Sequence, residues 1–490
     1  DSFNEISISE ATTKIKNKID ELDNPNIKFL VGSSSTNEEY FIINEIANYL
    51  NKDKFLSKDS SNIYFGDDLL FKGYFGDEYS QAKLEDLDSS ETIVIWAEDI
   101  KDNLPILYLR VKKAVKNGSK LIVFGHTNTA IAGLADFYFG KDIVSNKFEL
   151  IQNPNEIEDL KNNIEGKKVT VIAGKSTVFQ KKESLDKLIN YLNEKSELKV
   201  LNSFSKGNTF GALQNIDEVK GLNEFCNEFD NNAKNIVFTI GVNPVNSSYF
   251  GKKIKENLIA SDFVISLDLF VNETTELADM ILPTTSLGEK EGTVTNMEMR
   301  VMKQNKILPA PGSTLSEWEY LTSLLKVLGA DVNYKNENEI NNFLSKQYKD
   351  QEQVPTFDNL NKPSNLFGMI NKKDININIE DLEEDDFSLL MVRRLYGDSS
   401  TQLNTPSISM LGSHRFIELN SSPAKKYGIN SKVGNFIQGS NSILINIDIN
   451  EYLPDDLVVA PINRRGFETI DPCLDFDISE AKNREELNVN

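Results

Sequence analysis

The sequence predicts an α/β protein with two doubly wound parallel-sheet domains and a small C-terminal β-barrel. Three observations support this prediction. Short apolar strands alternate with amphipathic helices over most of the chain, a polar and acidic segment follows, and after Phe387 the pattern changes to short strands divided by glycines. Apolar strands separated by helices are typical of parallel sheets covered on both faces.

The first α/β domain is predicted over residues 1–150. Ser7 stands before a run of apolar residues at helical spacing and can cap a helix there. A buried strand is expected over 27–31, and a helix over 38–50 after a turn rich in Gly and Ser. The alternation continues with a strand at 92–97, a helix at 104–116 and a strand at 120–124.

The second α/β domain is predicted over 151–330, and it repeats the alternation. Its strands and helices are expected at 169–173, 184–193, 198–201, 236–240, 249–257 and 263–267. Residues 331–386 are polar and acidic and are interpreted as a partly helical connector with a solvated charged face. Residues 387–490 form the predicted small β-rich C-terminal domain.

Charge and composition exclude several classes of function. With 490 residues and a formal net charge of -22, the chain is too large for one core and too acidic for a nucleic-acid partner. No apolar run is long enough to span a bilayer, so no direct membrane insertion is expected. The only cysteines are Cys226 and Cys473 and the only histidines His126 and His414, so we expect no metal site in this chain.

Two polar segments are candidates for a binding site. The strand at 236–240 runs into Gly241, Val242, Asn243 and Pro244, and the carboxyl ends of strands are where open α/β sheets bind ligands. Gly241 allows close approach of the backbone to a phosphate, and Asn243 can donate to it, although a tight turn explains the same four residues. The segment 271–301 then places a dense set of polar and ionisable residues around a short apolar strand at 280–282.

This second segment resembles a signature of the molybdopterin oxidoreductase superfamily. Residues 273–283 match E-T-x-x-x-A-D-x-x-L-P, and residues 289–300 match E-K-x-G-T-x-T-N-x-E-x-R. Within the superfamily the chain resembles most closely the large iron-sulfur subunit of the NADH:quinone oxidoreductase (respiratory complex I). The segments 202–213 and 389–411 also resemble parts of that subunit. The resemblance implies a pterin-dinucleotide pocket, or its cofactor-free relic, formed by Gly241, Asn243, Glu273, Thr274, Asp279, Asn296 and Arg300.

The sequence departs from the catalytic members of the superfamily. No cysteine stands between 51 and 91, where those members carry a metal ligand, and Gly125 to Thr129 replace the phosphate-binding D-P-R-x-T. The resemblance therefore implies no catalytic residue and no cofactor in this chain, with iron-sulfur clusters in an N-terminal region before Asp1. The polar residues of 273–301 then have a second interpretation, a self-satisfied network of ion pairs and hydrogen bonds.

Three functional hypotheses follow. The first is a cofactor-free scaffold, part of the large iron-sulfur subunit of complex I, in the peripheral arm that carries electrons from NADH to quinone. The partners of this scaffold would be other peripheral-arm subunits. It would be located peripherally, at the cytoplasmic face of the bacterial inner membrane or on the mitochondrial matrix side. The alternative is a fragment of a catalytic molybdopterin oxidoreductase, such as a formate dehydrogenase-like subunit. The third, a free-standing binding module, requires the chain to be complete at Asp1.

Overall fold

The structure is a computed structural model of the chain. It describes residues 3–22, 24–51, 62–66, 73–75, 79–96, 99–125, 130–139, 161–174, 182–204, 206–347, 368–369, 377–378, 389–412, 415–451, 453, 455, 457–462, 464, 466–472 and 474–481. Within these ranges, no helix is both long and apolar enough to cross a membrane. Strands and helices are numbered below along the whole chain.

The chain forms two compact units, each assembled from three separate stretches. Unit 1 comprises Asp1–Lys72, Lys206–Val245 and Lys253–Glu380, and unit 2 comprises Gly73–Ser205, Asn246–Lys252 and Asp381–Asn490. This division differs from the predicted segments 1–150, 151–330, 331–386 and 387–490. The reason is that strands adjacent in a sheet come from distant parts of the sequence, so a contiguous stretch does not form a unit.

Unit 1 contains a parallel sheet of seven described strands. Its strands are β1 (Asn26–Val31), β2 (Ile63–Phe65), β8 (Val219–Lys220), β9 (Asn235–Ile240), β10 (Phe263–Asp268), β11 (Met280–Pro283) and β15 (Ile377–Asn378). They lie in the order β11-β10-β9-β1-β2-β8-β15. The central strands β1 and β9 pair over their whole length, and Phe29 stacks on Phe238 with ring centroids 4.9 Å apart.

A second, antiparallel sheet of unit 1 carries the end of the signature segment. It consists of β12 (Gly292–Thr295), β13 (Arg300–Gln304) and β14 (Gly368–Met369). The helices of unit 1 are α1 (Ile8–Glu21), α2 (Asn37–Asn51), α7 (Thr209–Asn215), α8 (Leu222–Asn227), α11 (Glu317–Leu328) and α12 (Glu337–Gln347). Ser7 caps α1 as predicted, because its Oγ accepts a hydrogen bond from the Glu10 amide. The predicted connector contributes α12, β14 and β15, which belong to unit 1.

Unit 2 contains a parallel sheet of five described strands. The strands are β3 (Thr92–Trp96), β4 (Lys120–Phe124), β5 (Phe137–Phe139), β6 (Lys168–Gly174) and β7 (Glu197–Ser203), in the order β5-β4-β3-β6-β7. The central strand β3 is buried throughout. The helices of this part are α3 (Asp86–Ser89), α4 (Ile100–Asn103), α5 (Pro105–Lys116) and α6 (Lys182–Lys195). Two further helices, α9 (Pro244–Ser247) and α10 (Gly251–Ile259), each contain residues assigned to both units.

The C-terminal part of unit 2 is rich in strands, as predicted, and the described strands pair as a mixed sheet of six. Its strands are β16 (Leu390–Val392), β17 (Phe416–Leu419), β18 (Val433–Gln438), β19 (Asn441–Ile449), β20 (Val458–Pro461) and β21 (Asp477–Glu480). They lie in the order β16-β20-β17-β19-β18-β21. Short helices α13 (Ser400–Leu403), α14 (Pro406–Ser409) and α15 (Ser421–Lys426) complete it. The predicted α/β fold class is confirmed.

The strand order of unit 1 reverses between β1 and β9. β2 lies on one side of β1, whereas β9, β10 and β11 follow one another on the other side. The chain therefore leaves the carboxyl ends of β1 and β9 in opposite directions. In open α/β sheets such a switch point leaves the crevice where ligands bind.

We predict that Gly32→Ala strongly destabilises unit 1. A Cβ at Gly32 would lie 1.9 Å from the carbonyl oxygen of Gly241, so the two loops would have to separate at the switch point. We expect a loss of at least about 3 kcal/mol, seen as a lower midpoint of thermal unfolding. The control is Gly207→Ala in the same unit, where a Cβ meets nothing within 4 Å. Equal midpoints for the two variants would contradict the prediction.

Candidate functional site

Three loops meet at the switch point of unit 1 with almost no space between their backbones. Gly241, directly after β9, adopts a φ of +58°, and the Oγ of Ser34 donates a hydrogen bond to its carbonyl oxygen at 3.3 Å. Gly66, after β2, is as close to Val242, since a Cβ there would lie 2.2 Å from Val242 Cγ2. Gly241 thus permits close approach of the loop after β1, and the predicted approach of its backbone to a phosphate stays a prediction.

Asn243, Glu273 and Thr274 are brought together beside this crossing, as the resemblance implied. The Nδ2 of Asn243 donates to Glu273 Oε2 at 2.7 Å, and the Thr274 hydroxyl donates to Asn243 Oδ1 at 2.7 Å. The backbone amide of Val245 in turn donates to Thr274 Oγ1 at 3.4 Å. The side chains of the loop after β9 are therefore fixed by the loop that follows β10.

Asn272 holds the loop after β10 in place. Its Oδ1 accepts hydrogen bonds from the amides of Thr274 and Thr275, both at 3.0 Å, and its Nδ2 donates to Asp268 Oδ2 at 2.9 Å. Burial raises the pKa of Asp268, while the Asn272 amide and nearby backbone amides oppose that rise. The result is a network of hydrogen-bonded amide, hydroxyl and carboxyl groups at the carboxyl ends of the strands.

Asp279 lies at the opposite end of the strands, where their amino ends are. Its Oδ2 accepts a hydrogen bond from the Val264 amide at 2.8 Å, and its own amide donates to the Val264 carbonyl at 2.9 Å. Val264 stands near the start of β10, and Asp279 directly precedes β11, which runs parallel to β10. Asp279 therefore joins the amino ends of two strands and is not brought together with Asn243.

Asn296 and Arg300 form the turn between β12 and β13. Asn296 Oδ1 accepts hydrogen bonds from the amides of Glu298 and Arg300, both at 3.0 Å, and Met299 between them adopts a φ of 59°. The Arg300 guanidinium lies 3.8 Å from the Glu298 carboxylate. Asn296 shapes the turn, and Arg300 is engaged with an acidic neighbour.

The first turn of α2 packs against this hairpin. Thr36 and Glu39 form a capping box, since Thr36 Oγ1 accepts from the Glu39 amide and Glu39 Oε2 accepts from the Thr36 amide. The Nδ2 of Asn37 donates to Thr295 Oγ1 at 3.0 Å. Asn208, just before α7, donates to the Ser35 carbonyl and accepts from the Thr295 amide, both at 2.7 Å. The helix N-terminus is thus occupied by the protein's own side chains.

Three buried ionisable side chains meet behind that turn. The Lys290 ammonium lies 2.8 Å from Glu39 and 2.9 Å from Glu317, and the three side chains are at most 2% exposed. Burial and the nearby Glu39 charge raise the pKa of Glu317 well above its ordinary value, whereas Lys290 lowers the pKa of Glu39 against the effect of burial. We assign the cluster as ionised Glu39, protonated Glu317 and charged Lys290.

Glu38 is a third buried acid of this region, on the neighbouring side of α2. Its carboxylate accepts hydrogen bonds from the Thr293 amide at 2.7 Å, the Thr293 hydroxyl at 2.8 Å and Asn341 Nδ2 at 3.0 Å. Burial nevertheless raises the pKa of Glu38 to about 7. The Asn341 Oδ1 atom is buried without a hydrogen-bond partner. Rotation of that amide would offer an acceptor to the protonated form of Glu38.

The sequence prediction missed this buried group. The sequence does indicate the capping box formed by Thr36 and Glu39, because T-x-x-E at 36–39 is the pattern of such a box. The partners of Glu39 come from positions 290 and 317, far along the chain, and no local pattern connects them.

The cysteines and histidines are the remaining residues that the sequence analysis considered as ligands. Cys226 is buried, while Cys473, His414 and the segment 126–129 lie outside the described residues. In the part of the chain that the structure describes, no group of three or more His, Cys, Asp or Glu side chains is arranged to hold a metal ion.

Comparison with known proteins identifies the family. Residues 1–327 match the molybdopterin oxidoreductase family. The chain belongs to that family. The fold agrees, because acetylene hydratase from Pelobacter acetylenicus superposes with a TM-score of 0.62 over 98% of this chain and 90% of that chain, at 13% sequence identity.

Curated relatives within the molybdopterin oxidoreductase family match over short segments. The F420-dependent formate dehydrogenase subunit alpha of Methanocaldococcus jannaschii is 38% identical over 102 residues, 20% of this chain and 15% of that protein. The assimilatory nitrate reductase catalytic subunit of Bacillus subtilis is 38% identical over 93 residues, 19% of this chain and 13% of that protein. The predicted superfamily is confirmed. The narrower resemblance to the large iron-sulfur subunit of complex I is not supported, since these relatives are formate dehydrogenase and nitrate reductase subunits.

The family implies a molybdopterin cofactor, and the residues of unit 1 fit one part of it. Asn243 and Glu273, which are partly exposed, offer amide and carboxylate groups suited to the hydrogen-bonding edge of a heterocycle, and the buried Thr274 hydroxyl positions Asn243. The cations of the signature segment are less suited to its phosphates, because Lys290, Arg300 and Lys303 each lie beside a carboxylate. The fit is therefore to the ring system of the cofactor.

We predict an asymmetric response of the two carboxyl groups around Lys290. Glu317→Gln replaces a protonated carboxyl group by a neutral amide and should change the free energy of unfolding by less than about 1 kcal/mol. Glu39→Gln removes the counter-charge of a buried ammonium group and should cost about 3–5 kcal/mol. Thermal and urea unfolding of both variants checks this. Equal losses, or a larger loss for Glu317→Gln, would show that the proton lies elsewhere.

We also predict that Glu38 makes stability depend on pH. Because its pKa is raised from 4.5 to about 7 on folding, the folded state holds a proton that the unfolded chain releases. The stabilisation is complete below pH 4.5 and is lost as the pH rises through about 7. It amounts to roughly 3 kcal/mol at most.

Glu38→Gln tests this dependence, since rotation of the Asn341 amide can accommodate the new NH2 group. The fall in unfolding midpoint between about pH 5 and about pH 8 should be smaller in Glu38→Gln than in the wild type. The control is Glu276→Gln, a change at an exposed residue of the same unit. A variant whose midpoint falls as steeply as that of the wild type would refute the assignment.

Proposed function

We propose that the chain is the nucleotide-binding part of a formate dehydrogenase-like molybdopterin oxidoreductase. The observation that carries the proposal is the partly exposed pair of Asn243 and Glu273, positioned by Thr274, at the switch point of a parallel sheet in a chain of this family. Formate as the substrate is supported by the formate dehydrogenase relatives alone.

In this proposal the residues of unit 1 bind and orient the cofactor. Asn243 presents both an amide donor and an acceptor, and Glu273 presents a carboxylate that accepts from ring N–H groups. Thr274 and Asn272 fix these two side chains before any ligand arrives, which reduces the entropy lost on binding. The cofactor, when bound, supplies the redox metal at which formate is oxidised.

A second candidate is a cofactor-free architectural role within an electron-transfer complex. It is favoured by one observation, that Asn243, Glu273, Thr274, Asn296 and Arg300 all have partners inside unit 1. Under this role the same contacts stiffen the unit and bind nothing.

The relatives are named as alpha or catalytic subunits, and we propose that this chain likewise assembles with partner subunits. The matched segments cover 15% of the first relative and 21% of the second, the Methanococcus maripaludis formate dehydrogenase 2 subunit alpha, so the activity of the whole protein is part of the proposal.

The test uses the protein isolated with its partners from its native host. We expect molybdenum or tungsten in near-stoichiometric amount, a nucleotide released on denaturation, and formate oxidation with a viologen dye as electron acceptor. Asn243→Ala should reduce the retained nucleotide by about tenfold, as expected for the loss of one or two hydrogen bonds in a buried site.

The matched control for this experiment is Asn232→Ala, an exposed asparagine of unit 1 that contacts Asp230. It should retain the nucleotide at the wild-type level. Native protein that contains neither metal nor nucleotide would reject the catalytic proposal and favour the architectural role.

A further inference from the structure

The outer face of helix α5 in unit 2 is apolar where an exposed helix face is ordinarily polar. The inner face is formed by buried apolar side chains, at Leu107, Val111 and Ala114. Ile106 and Leu109 lie outside this face, one turn apart, and are 67% and 57% exposed. Pro105, at the start of the helix, is exposed beside them. Single exposed apolar side chains are common, but an apolar group rimmed by polar residues is typical of surfaces that bind a partner.

Helix α6 of the same unit shows the ordinary pattern. Among residues 185–195 the buried side chains are apolar, and the exposed ones are all polar: Lys187, Asn190, Asn193, Glu194 and Lys195. The two helices therefore differ on their outer faces, although both have an apolar inner face. The exposed apolar residues of α5 are a property of that helix and not of unit 2 as a whole.

The outer face of α5 also carries an excess of positive charge. The helix contains four cations and no carboxylate, in a chain whose net charge is -22. Asp88 serves two of these cations, since its carboxylate lies 3.4 Å from Arg110 and 3.2 Å from Lys113. The other two, Lys112 and Lys116, are exposed, and no carboxylate among the described residues pairs with either. They lie one and two turns beyond Leu109, so positive charge continues the apolar stripe.

We propose that the outer face of α5, formed by Pro105, Ile106, Leu109, Lys112 and Lys116, docks a partner subunit that presents apolar side chains next to Asp or Glu residues. Apolar contact with charged groups at its margin is the usual arrangement of a protein interface, and complementary charges fix the orientation of the two proteins. This inference rests on the proposed assembly with partner subunits and is independent of the cofactor.

The charge of the chain favours a partner protein over an anionic membrane or a second copy. Both of these would be repelled by a chain of net charge -22. A partner protein needs acidic groups only where it faces the helix, because charge interactions are screened over about 8 Å at physiological ionic strength. Local complementarity is therefore sufficient for a protein partner.

The test treats the complex isolated from the native host with a carbodiimide, which joins an ammonium group to a carboxylate that it contacts. Mass spectrometry then identifies the linked peptides. We expect links from Lys112 or Lys116 to Asp or Glu residues of a partner subunit. Lys187, on the exposed face of α6, is the internal reference and should give no such link.

Variants test the same surface without cross-linking. Lys112→Glu combined with Lys116→Glu should reduce the amount of partner subunit that co-purifies by about tenfold or more, because each new carboxylate faces an acidic surface. Leu109→Ser should cause a similar loss by removing apolar contact. Lys187→Glu is the matched control and should retain the partner. Since all these side chains are exposed, the unfolding midpoint of the full-length chain should not change.

A partner subunit retained equally by the double variant and the wild type would overturn the proposal, as would native protein that carries no partner. Links between two copies, recognised in a mixture of isotope-labelled and unlabelled chain, would overturn it in favour of self-association. Binding to vesicles of phosphatidylglycerol and phosphatidylcholine that is lost in the double variant would overturn it in favour of a membrane surface. Metal and nucleotide measured in the same preparation judge the catalytic proposal separately.

Discussion

The first turn of α2 is the feature on which the rest of unit 1 depends. Asn37, Glu38 and Glu39 are all buried there, at the N-terminus of a helix that follows the central strand of the sheet. Three consecutive polar residues can be buried only if each finds partners, since an unpaired charge in a protein interior costs several kcal/mol. The partners come from the β12–β13 hairpin, α11 and α12, so the polar contacts determine where these elements pack.

The alternation of strands and helices could be predicted from the sequence because it depends on local spacing. The α/β class and the helix cap at Ser7 were correct for that reason. The composition of the two units could not be predicted, because β1 pairs with β9 across most of the first half of the chain. The spacing of apolar residues indicates that a strand is buried, but it does not indicate which strand pairs with it.

The candidate site divides in the same way. Gly241, Asn243 and Glu273 follow strands, and the structure brings them together at the carboxyl edge. Asp279 precedes its strand, and the amino ends of parallel strands lie opposite their carboxyl ends. The position of Asp279, away from Asn243, could therefore have been predicted from the sequence. The contacts of Lys290 could not be predicted from the sequence, because its two carboxyl partners, Glu39 and Glu317, are far apart in the chain.

The position of β1 in the sheet has a consequence for how the protein is made. β1 leaves the ribosome about 200 residues before one of its two neighbours, β9, which is synthesised only at residues 235–240. The strand β15 at the far edge follows later still, at 377–378. A nascent chain therefore carries an apolar strand with an open edge while most of unit 2's parallel sheet is being translated, and such edges pair readily with other chains. Unit 1 can therefore complete its parallel sheet only after that part of unit 2 has been made.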